Sequence, residues 1–179
     1  VLDAADTLTA VKERGRLMQR EAEAHPGTMA AAIGLAPEKL AELLKPLIQQ
    51  GPLALANFNT PEQTVISGTV ELVAQAADLV KAAGARVVPL QVSGAWHSPL
   101  MAEAYQDFAA CLSTLNFQAS RLPVYLNATA APEADREKLR QAMARQLTSP
   151  VRWTDLILNL KSAGVHTWVE VGPKNVLRG

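Results

Sequence analysis

His97 stands in the run Val92-Ser93-Gly94-Ala95-Trp96-His97-Ser98-Pro99-Leu100-Met101, where an apolar strand gives out and a helix is about to begin. Side chains at such a junction face a cleft in open α/β sheets, and a helix start disfavours the charged imidazolium, which suits a histidine to act as a neutral base. The position also admits a plainer reading, in which Ser98 caps the helix and His97 fills the junction. The other two histidines have structural explanations: His25 lies in a helix-ending His25-Pro26-Gly27 turn, and His166 opens an apolar stretch after Gly164. A base needs a nucleophile to act on. Acyl-transfer enzymes on α/β sheets place a serine in Gly-x-Ser-x-Gly, whose glycines permit the sharp strand-to-helix turn. The chain contains no such pentapeptide; Ser67-Gly68 and Ser93-Gly94 each offer a serine with one neighbouring glycine. The single cysteine, Cys111, excludes an internal disulfide and any multi-cysteine metal site, and no metal centre is expected. It falls on the apolar stripe Leu100, Ala104, Phe108, Cys111, Leu115 and reads as a buried structural thiol.

The elements that must position these groups follow from periodicity and breakers. Residues Thr7 to Glu23 predict a helix, with Leu8, Val11, Met18 and Ala22 near one face. His25-Pro26-Gly27 ends it. A short apolar run, Met29 to Ile33, predicts a strand, and Pro37 suits the first turn of a helix reaching Gln50, with a kink or early end near Lys45 because of Pro46. Leu53 to Asn59 and Thr64 to Ser67 read as strands joined across Thr60-Pro61-Glu62. A helix opens at Gly68-Thr69, carries Val70, Val73, Ala77 and Val80, and closes at Gly84, and a strand follows at Arg86 to Val92. The order from Met29 to Val92 is the split βαβ arrangement, βαββαβ, of a ferredoxin-like domain. Beyond it, helices at Pro99 to Leu115, Glu133 to Gln146 and Thr154 to Ala163 alternate with strands at Val124 to Asn127 and Thr167 to Val171, which argues for part of a parallel α/β sheet. The organisation expected is residues 1–27 as a helix of a larger core, 28–93 as a ferredoxin-like insert and 94–179 as the rest of that core.

Bulk properties narrow the class. With 179 residues, 49% hydrophobic and 19% charged, the chain has room for one substantial core or two small ones. Its 17 basic and 17 acidic residues cancel, so it has no field to attract nucleic acid. No apolar run approaches the roughly 20 residues of a membrane span, and the acidic start from Val1 to Asp6 is unlike a signal peptide, so no membrane association and a cytoplasmic location are expected. The absence of an initiator Met suggests a fragment, and one expected to dissolve poorly alone.

Taken in order, several stretches resemble the malonyl-CoA:acyl carrier protein transacylases of bacterial fatty acid synthesis. Val11 to Gln19 is similar to their Arg-Gly-x-x-Met-Gln stretch, and Asn57 to Gly68 to their Asn-x-Asn-Ser-Pro-x-Gln-x-Val-Ile-x-Gly hairpin. The His97 segment resembles their catalytic histidine motif, Arg145 to Trp153 their Arg-Gln-Leu-x-x-Pro-Val-x-Trp, and Glu170-Val171-Gly172-Pro173 their Glu-Val-Gly-Pro. The spacing agrees over essentially the whole chain. Lys174 departs from the family by replacing the second glycine of Gly-Pro-Gly.

The resemblance implies an α/β-hydrolase-like parallel-sheet core with an inserted ferredoxin-like subdomain, and an elbow serine upstream of Val1. It implies ping-pong transfer of a malonyl group from malonyl-CoA to the phosphopantetheine thiol of acyl carrier protein through a malonyl-serine ester, without a cofactor and by a monomer. In that reading His97 is the base, the backbone carbonyl of Gln146 orients it, and Arg14 holds the malonyl carboxylate. The residue alone leaves Arg14 open as a surface cation, beside Lys12, Arg16 and Arg20. Trp96 is implied to exclude branched acyl groups, or packs the junction; Asn57 and Asn59 contact substrate or support the hairpin. The alternatives are an acyltransferase domain of a polyketide or fatty acid synthase, and a non-catalytic remnant that binds carrier protein.

Overall fold

The structure, a computed structural model, describes residues 1–172. Helix α1 (Ala4–Ala24) begins earlier than the periodicity predicts because Asp3 caps it, its Oδ1 accepting the Asp6 N–H at 2.8 Å. Strand β1 (Gly27–Ile33), helix α2 (Pro37–Gln50), strands β2 (Leu53–Thr60) and β3 (Gln63–Thr69), helix α3 (Val70–Ala82) and strand β4 (Arg86–Pro89) follow. Every pairing in their sheet is antiparallel, with spatial order β2-β3-β1-β4. The sequence order βαββαβ predicted from Met29 onward is the order found.

Alternation explains the two faces. Ala30, Ala32, Leu53 and Ile66 turn toward α2 and α3, where Leu40, Leu44, Leu47, Leu72, Val73, Ala76 and Val80 close a core. Met29, Ala31, Ala56 and Val65 form the opposite face, against which Trp96 and Leu90 pack. A third cluster joins Ala10 and Leu17 of α1 to Met101, Ala104, Phe108, Leu112, Ala144 and Leu147. The last six belong to a short 3-10 turn (Pro99–Met101), helix α4 (Ala102–Ser113), helix α5 (Arg136–Arg145) and the residues after it. Helix α6 (Trp153–Ser162) follows.

Several expectations are corrected. Helix α2 runs through Pro46 to Gln50, because Leu40, Leu44 and Leu47 hold it to the sheet on both sides of the proline. On α1 the buried seam is Ala10, Leu17, Glu21 and Ala22, while Leu8 and Val11 are 71% and 64% exposed, so the predicted face is rotated. On α4 the seam passes from Phe108 to Leu112, four residues on, which leaves Cys111 only partly buried. The strand expected at Arg86 to Val92 stops at Pro89. The expected parallel sheet is not formed among the described residues: β5 (Val124–Tyr125) pairs antiparallel with β6 (Pro132–Glu133), and Thr167 to Val171 is not a strand. Pro173 and the departure at Lys174 lie outside the described residues.

Two joints hold the later segments to the antiparallel sheet. Val151 inserts against β2, donating its N–H to the Ala56 carbonyl and accepting from Phe58 N–H, both at 2.8 Å. The bulge in β2 between Leu55 and Asn57 frees Ala56 for this contact. At the other joint, Gly27 lets the loop before His97 approach: a β-carbon there would lie 2.7 Å from Ala95 Cβ and 2.8 Å from the Gly68 carbonyl oxygen. Gly27→Ala is expected to cost about 1–3 kcal/mol, the usual penalty of overpacking, and to lower the melting temperature of the purified protein.

Candidate active site

His97 is built from its neighbours outward. Ser98 is fully buried; its Oγ donates to the Ala95 carbonyl at 2.7 Å and accepts the Leu100 N–H at 3.2 Å, so it locks the tight loop and caps the 3-10 turn. The capping role foreseen for Ser98 therefore holds, and it leaves His97 free to be something other than filler. His97 itself adopts φ 59°, the left-handed region that non-glycine residues enter at a cost. That turn aims its ring at the end of α5.

There, Nδ1 of His97 lies 3.0 Å from the Gln146 carbonyl oxygen and 3.1 Å from that of Ser149. Two carbonyls can only accept, so Nδ1 carries the proton and Nε2 presents its lone pair. The sequence explains why those carbonyls are available. The last carbonyls of a helix lack intrahelical donors, and the residue four after Gln146 is Pro150, which has no N–H to give. The partial negative charge of a helix C-terminus then does what a carboxylate does in other triads: it fixes the tautomer and favours the imidazolium as it forms.

Arg14 meets the same residue. Its Nη2 donates to Gln146 Oε1 at 3.0 Å, so one glutamine orients the imidazole through its backbone and the guanidinium through its side chain. The neighbouring cations on α1 behave differently. Arg16 is paired with Glu13, and Arg20 with Glu21 and Asp107, whereas Arg14 is partly buried and forms no ion pair among the described residues. Burial alone pulls the Arg14 guanidinium below its ordinary value, without depriving it of its charge. A desolvated guanidinium with no carboxylate partner is a ready anchor for an anionic group. Beside it opens a cavity of ≈ 480 Å³, lined also by Val11, Tyr125, Asn127, Met143 and Gln146.

Burial, countered by the Gln146 and Ser149 carbonyls and assisted by the Arg14 charge, holds the His97 imidazole below its ordinary 6.5. The ring is therefore neutral and basic near pH 7. A reaction that uses Nε2 as base should therefore lose its rate on acidification, as the ring protonates, at a lower pH than with an unperturbed imidazole. Removing the positive charge in Arg14→Ala should move that acidic limb upward, since the cation disfavours a second positive charge. A pH–rate profile of both proteins checks the two signs.

The structure thus brings together His97, Gln146 and Arg14. His25 and His166 take no part: both are exposed, and His25 sits at the end of α1. Trp96 packs in the seam between the sheet face and the α1/α4 cluster, its ring lying where a β-carbon on Gly94 would be, 2.7 Å away. Asn59 donates from Nδ2 to Gln63 Oε1 at 3.3 Å across the hairpin, and Asn57 lies beside the bulge, bridged to Val151. Neither asparagine lines the cavity beside Arg14. No serine pairs with His97 through its hydroxyl among the described residues, and Ser67 is fully buried in β3. Sequence reading missed the Ser149 carbonyl and the Gln146 side chain; the proline four residues after Gln146 was the available signal for a free carbonyl.

The arrangement, an imidazole of fixed tautomer and a guanidinium joined through one residue, can serve as a base and an anion anchor. Comparison with known proteins bears on which reaction that is. Residues 1–178 match the family described as acyl transferase domain. The malonyl CoA-acyl carrier protein transacylase of Escherichia coli strain K12 is 38% identical over 180 residues, covering 100% of this chain and 58% of the relative. That of Bacillus subtilis strain 168 is 37% identical over 176 residues, covering 97% of this chain and 56% of the relative. Among solved structures, an acyl carrier protein S-malonyltransferase from Vibrio cholerae O1 biovar eltor superposes with a TM-score of 0.94 at 38% identity, over 99% of this chain and 58% of that one. A malonyl-transacylase in complex with a type II PKS acyl carrier protein gives 0.93 at 38% identity, over 99% and 58%. The chain therefore spans little more than half the length of these relatives.

Proposed function

This chain belongs to the acyl transferase domain family, and from that premise we propose that it supplies the base and the carboxylate anchor of a malonyl-CoA:acyl carrier protein transacylase. The observation that carries the reading is the double use of Gln146, which places a neutral imidazole and a guanidinium without an ion pair among the described residues on one site. The nucleophile is a serine contributed by the part of the relatives' length that this chain does not span.

The serine hydroxyl gives its proton to His97 Nε2 as its oxygen attacks the malonyl thioester carbonyl. The C–S bond breaks, and the imidazolium returns the proton to the departing CoA sulfur. The phosphopantetheine thiol of acyl carrier protein then gives its proton to the same nitrogen, its sulfur attacks the malonyl-serine ester, and the serine oxygen leaves with the proton. Throughout, Arg14 pairs with the malonyl carboxylate through its planar fork. No cofactor enters the scheme.

The finer architecture is part of the same reading. The antiparallel βαββαβ unit is the ferredoxin-like insert, residues 28–93. Residues 1–27 and 94–179 belong to an α/β-hydrolase-like core. The separate cluster around Leu40 and Ile66, and the sharing of α1 with α4 and α5, support that division. No helix among the described residues is long and apolar enough to cross a membrane; a cytoplasmic monomer is part of the same proposal. Trp96 stands next to His97 and is partly exposed, and those two facts support a role in excluding branched acyl groups. Asn57 and Asn59, half-buried on the hairpin, are assigned to supporting the substrate side.

The test is transfer itself: full-length protein is mixed with malonyl-CoA and phosphopantetheinylated acyl carrier protein, and the carrier is read by mass. A malonyl-carrier product, absent with the carrier lacking its phosphopantetheine, is expected. The relative solved with a type II PKS carrier protein makes polyketide synthesis a second reading, favoured if such a carrier is loaded faster than a fatty acid one. A folded protein that binds carrier and loads none would be the non-catalytic remnant.

A further inference from the structure

Apart from this site, the end of α1 and the start of α4 bring Glu21, His25 and Glu103 together. One ligand atom from each lies within 4.8 Å of the others. Glu21 is 1% exposed, which is unusual for a carboxylate, and its two oxygens are treated differently. Oε1 accepts from Arg20 Nε at 2.9 Å and from Nη2 at 2.6 Å. Oε2 is buried without a hydrogen-bond partner and faces His25, whose Nε2 stands 3.8 Å away. A buried carboxylate oxygen with nothing to accept from is costly.

We propose that Glu21, His25 and Glu103 form a binding site for a zinc-class divalent cation that clasps the end of α1 to the first turn of α4. An imidazole with two carboxylates is a donor set that suits Zn²⁺ better than Mg²⁺ or Ca²⁺, which prefer oxygen alone. Bonds of about 2.0–2.2 Å in a tetrahedral site put ligand atoms about 3.4 Å apart, closer than now. The exposed His25 and Glu103 can swing the difference, and the buried Glu21 oxygen is the fixed point. Arg20 opposes a cation, but Asp107, ion-paired to it, balances its charge. Two net negative charges remain on Glu21 and Glu103 for the ion to neutralise. The clasp is structural, since α1 carries Arg14 and α4 follows directly on the His97 loop.

The experiment is calorimetric titration of chelator-treated full-length protein with Zn²⁺, alongside His25→Gln and Glu103→Gln. Both variants alter exposed positions and leave the buried Glu21 in place. One Zn²⁺ per chain, with affinity weakened at least tenfold by either substitution and a melting temperature raised by Zn²⁺ only in the wild type, is the expected result. Absence of binding to the wild type overturns the proposal. So does binding that both variants retain, which would put the ion at another histidine, or binding that only His25→Gln weakens, which would make it a lone surface imidazole contact.

Discussion

His97→Ala is expected to slow malonyl transfer by about a thousandfold, within the roughly 10²–10⁴ that a positioned general base contributes. The loss should fall on kcat and leave KM nearly unchanged, because Nε2 handles protons in both half-reactions but holds no part of the ground-state substrate. His97→Gln should be nearly as slow, since an amide can replace the hydrogen bond to Gln146 but not the basic nitrogen. Single-turnover formation of the acyl-enzyme and its transfer to acyl carrier protein, measured separately, should both slow. A loss under tenfold would show that the 3.0 Å contact to the Gln146 carbonyl serves only to hold the loop.

Arg14→Ala is expected to lower kcat/KM for malonyl-CoA by about 100-fold, the equivalent of roughly 2.7 kcal/mol for removing one partner of a buried charge pair. Acetyl-CoA has no carboxylate to lose, so its turnover should change little, and the ratio of malonyl to acetyl transfer should collapse. Arg14→Lys should recover part of the loss, because a point charge attracts the carboxylate but cannot pair both oxygens in one plane. If both substrates slow equally, Arg14 is acting by keeping Gln146 in place through its 3.0 Å hydrogen bond rather than by binding the acyl group.

The antiparallel unit was legible because each of its elements advertises itself. Pro37 opens a helix at its first turn, Thr60-Pro61-Glu62 makes a turn between apolar runs, and Gly84 closes α3 at φ 82°. The faces of α1 and α4 were less legible, since a helix with apolar residues on more than one side does not say which side meets a neighbour. Leu8 and Val11 are as apolar as Leu17, yet only Leu17 faces α4. Pro46 misled because its lost hydrogen bond is outweighed by packing on both sides of it. Of the strands expected at Val124 to Asn127 and Thr167 to Val171, the first is found only as Val124–Tyr125, paired antiparallel with Pro132–Glu133, and the second is not formed, because a parallel strand needs parallel neighbours and the described residues form no parallel sheet.

At the site, His97 was visible as a residue type at a suggestive junction, while its partners were not. A backbone carbonyl has no side-chain signature, so neither Gln146 nor Ser149 could be read from residue chemistry alone; the resemblance supplied the first, and the second came from geometry. Residue chemistry alone could not tell Arg14 from Arg16 and Arg20, and the resemblance singled it out; the fold adds that Arg16 and Arg20 have carboxylate partners while Arg14 has none among the described residues. His25 read as a turn residue for the same reason: Glu103 lies far along the chain and is brought to it by the packing of α1 on α4.

The most direct test of the central claim is the intact mass of the full-length protein after brief exposure to malonyl-CoA without acyl carrier protein, followed by peptide mapping. One malonyl group, on a serine outside these 179 residues and accumulating far more slowly in His97→Ala, is the result predicted. A folded protein that takes up no acyl group, or takes it on a residue within this chain, would contradict it.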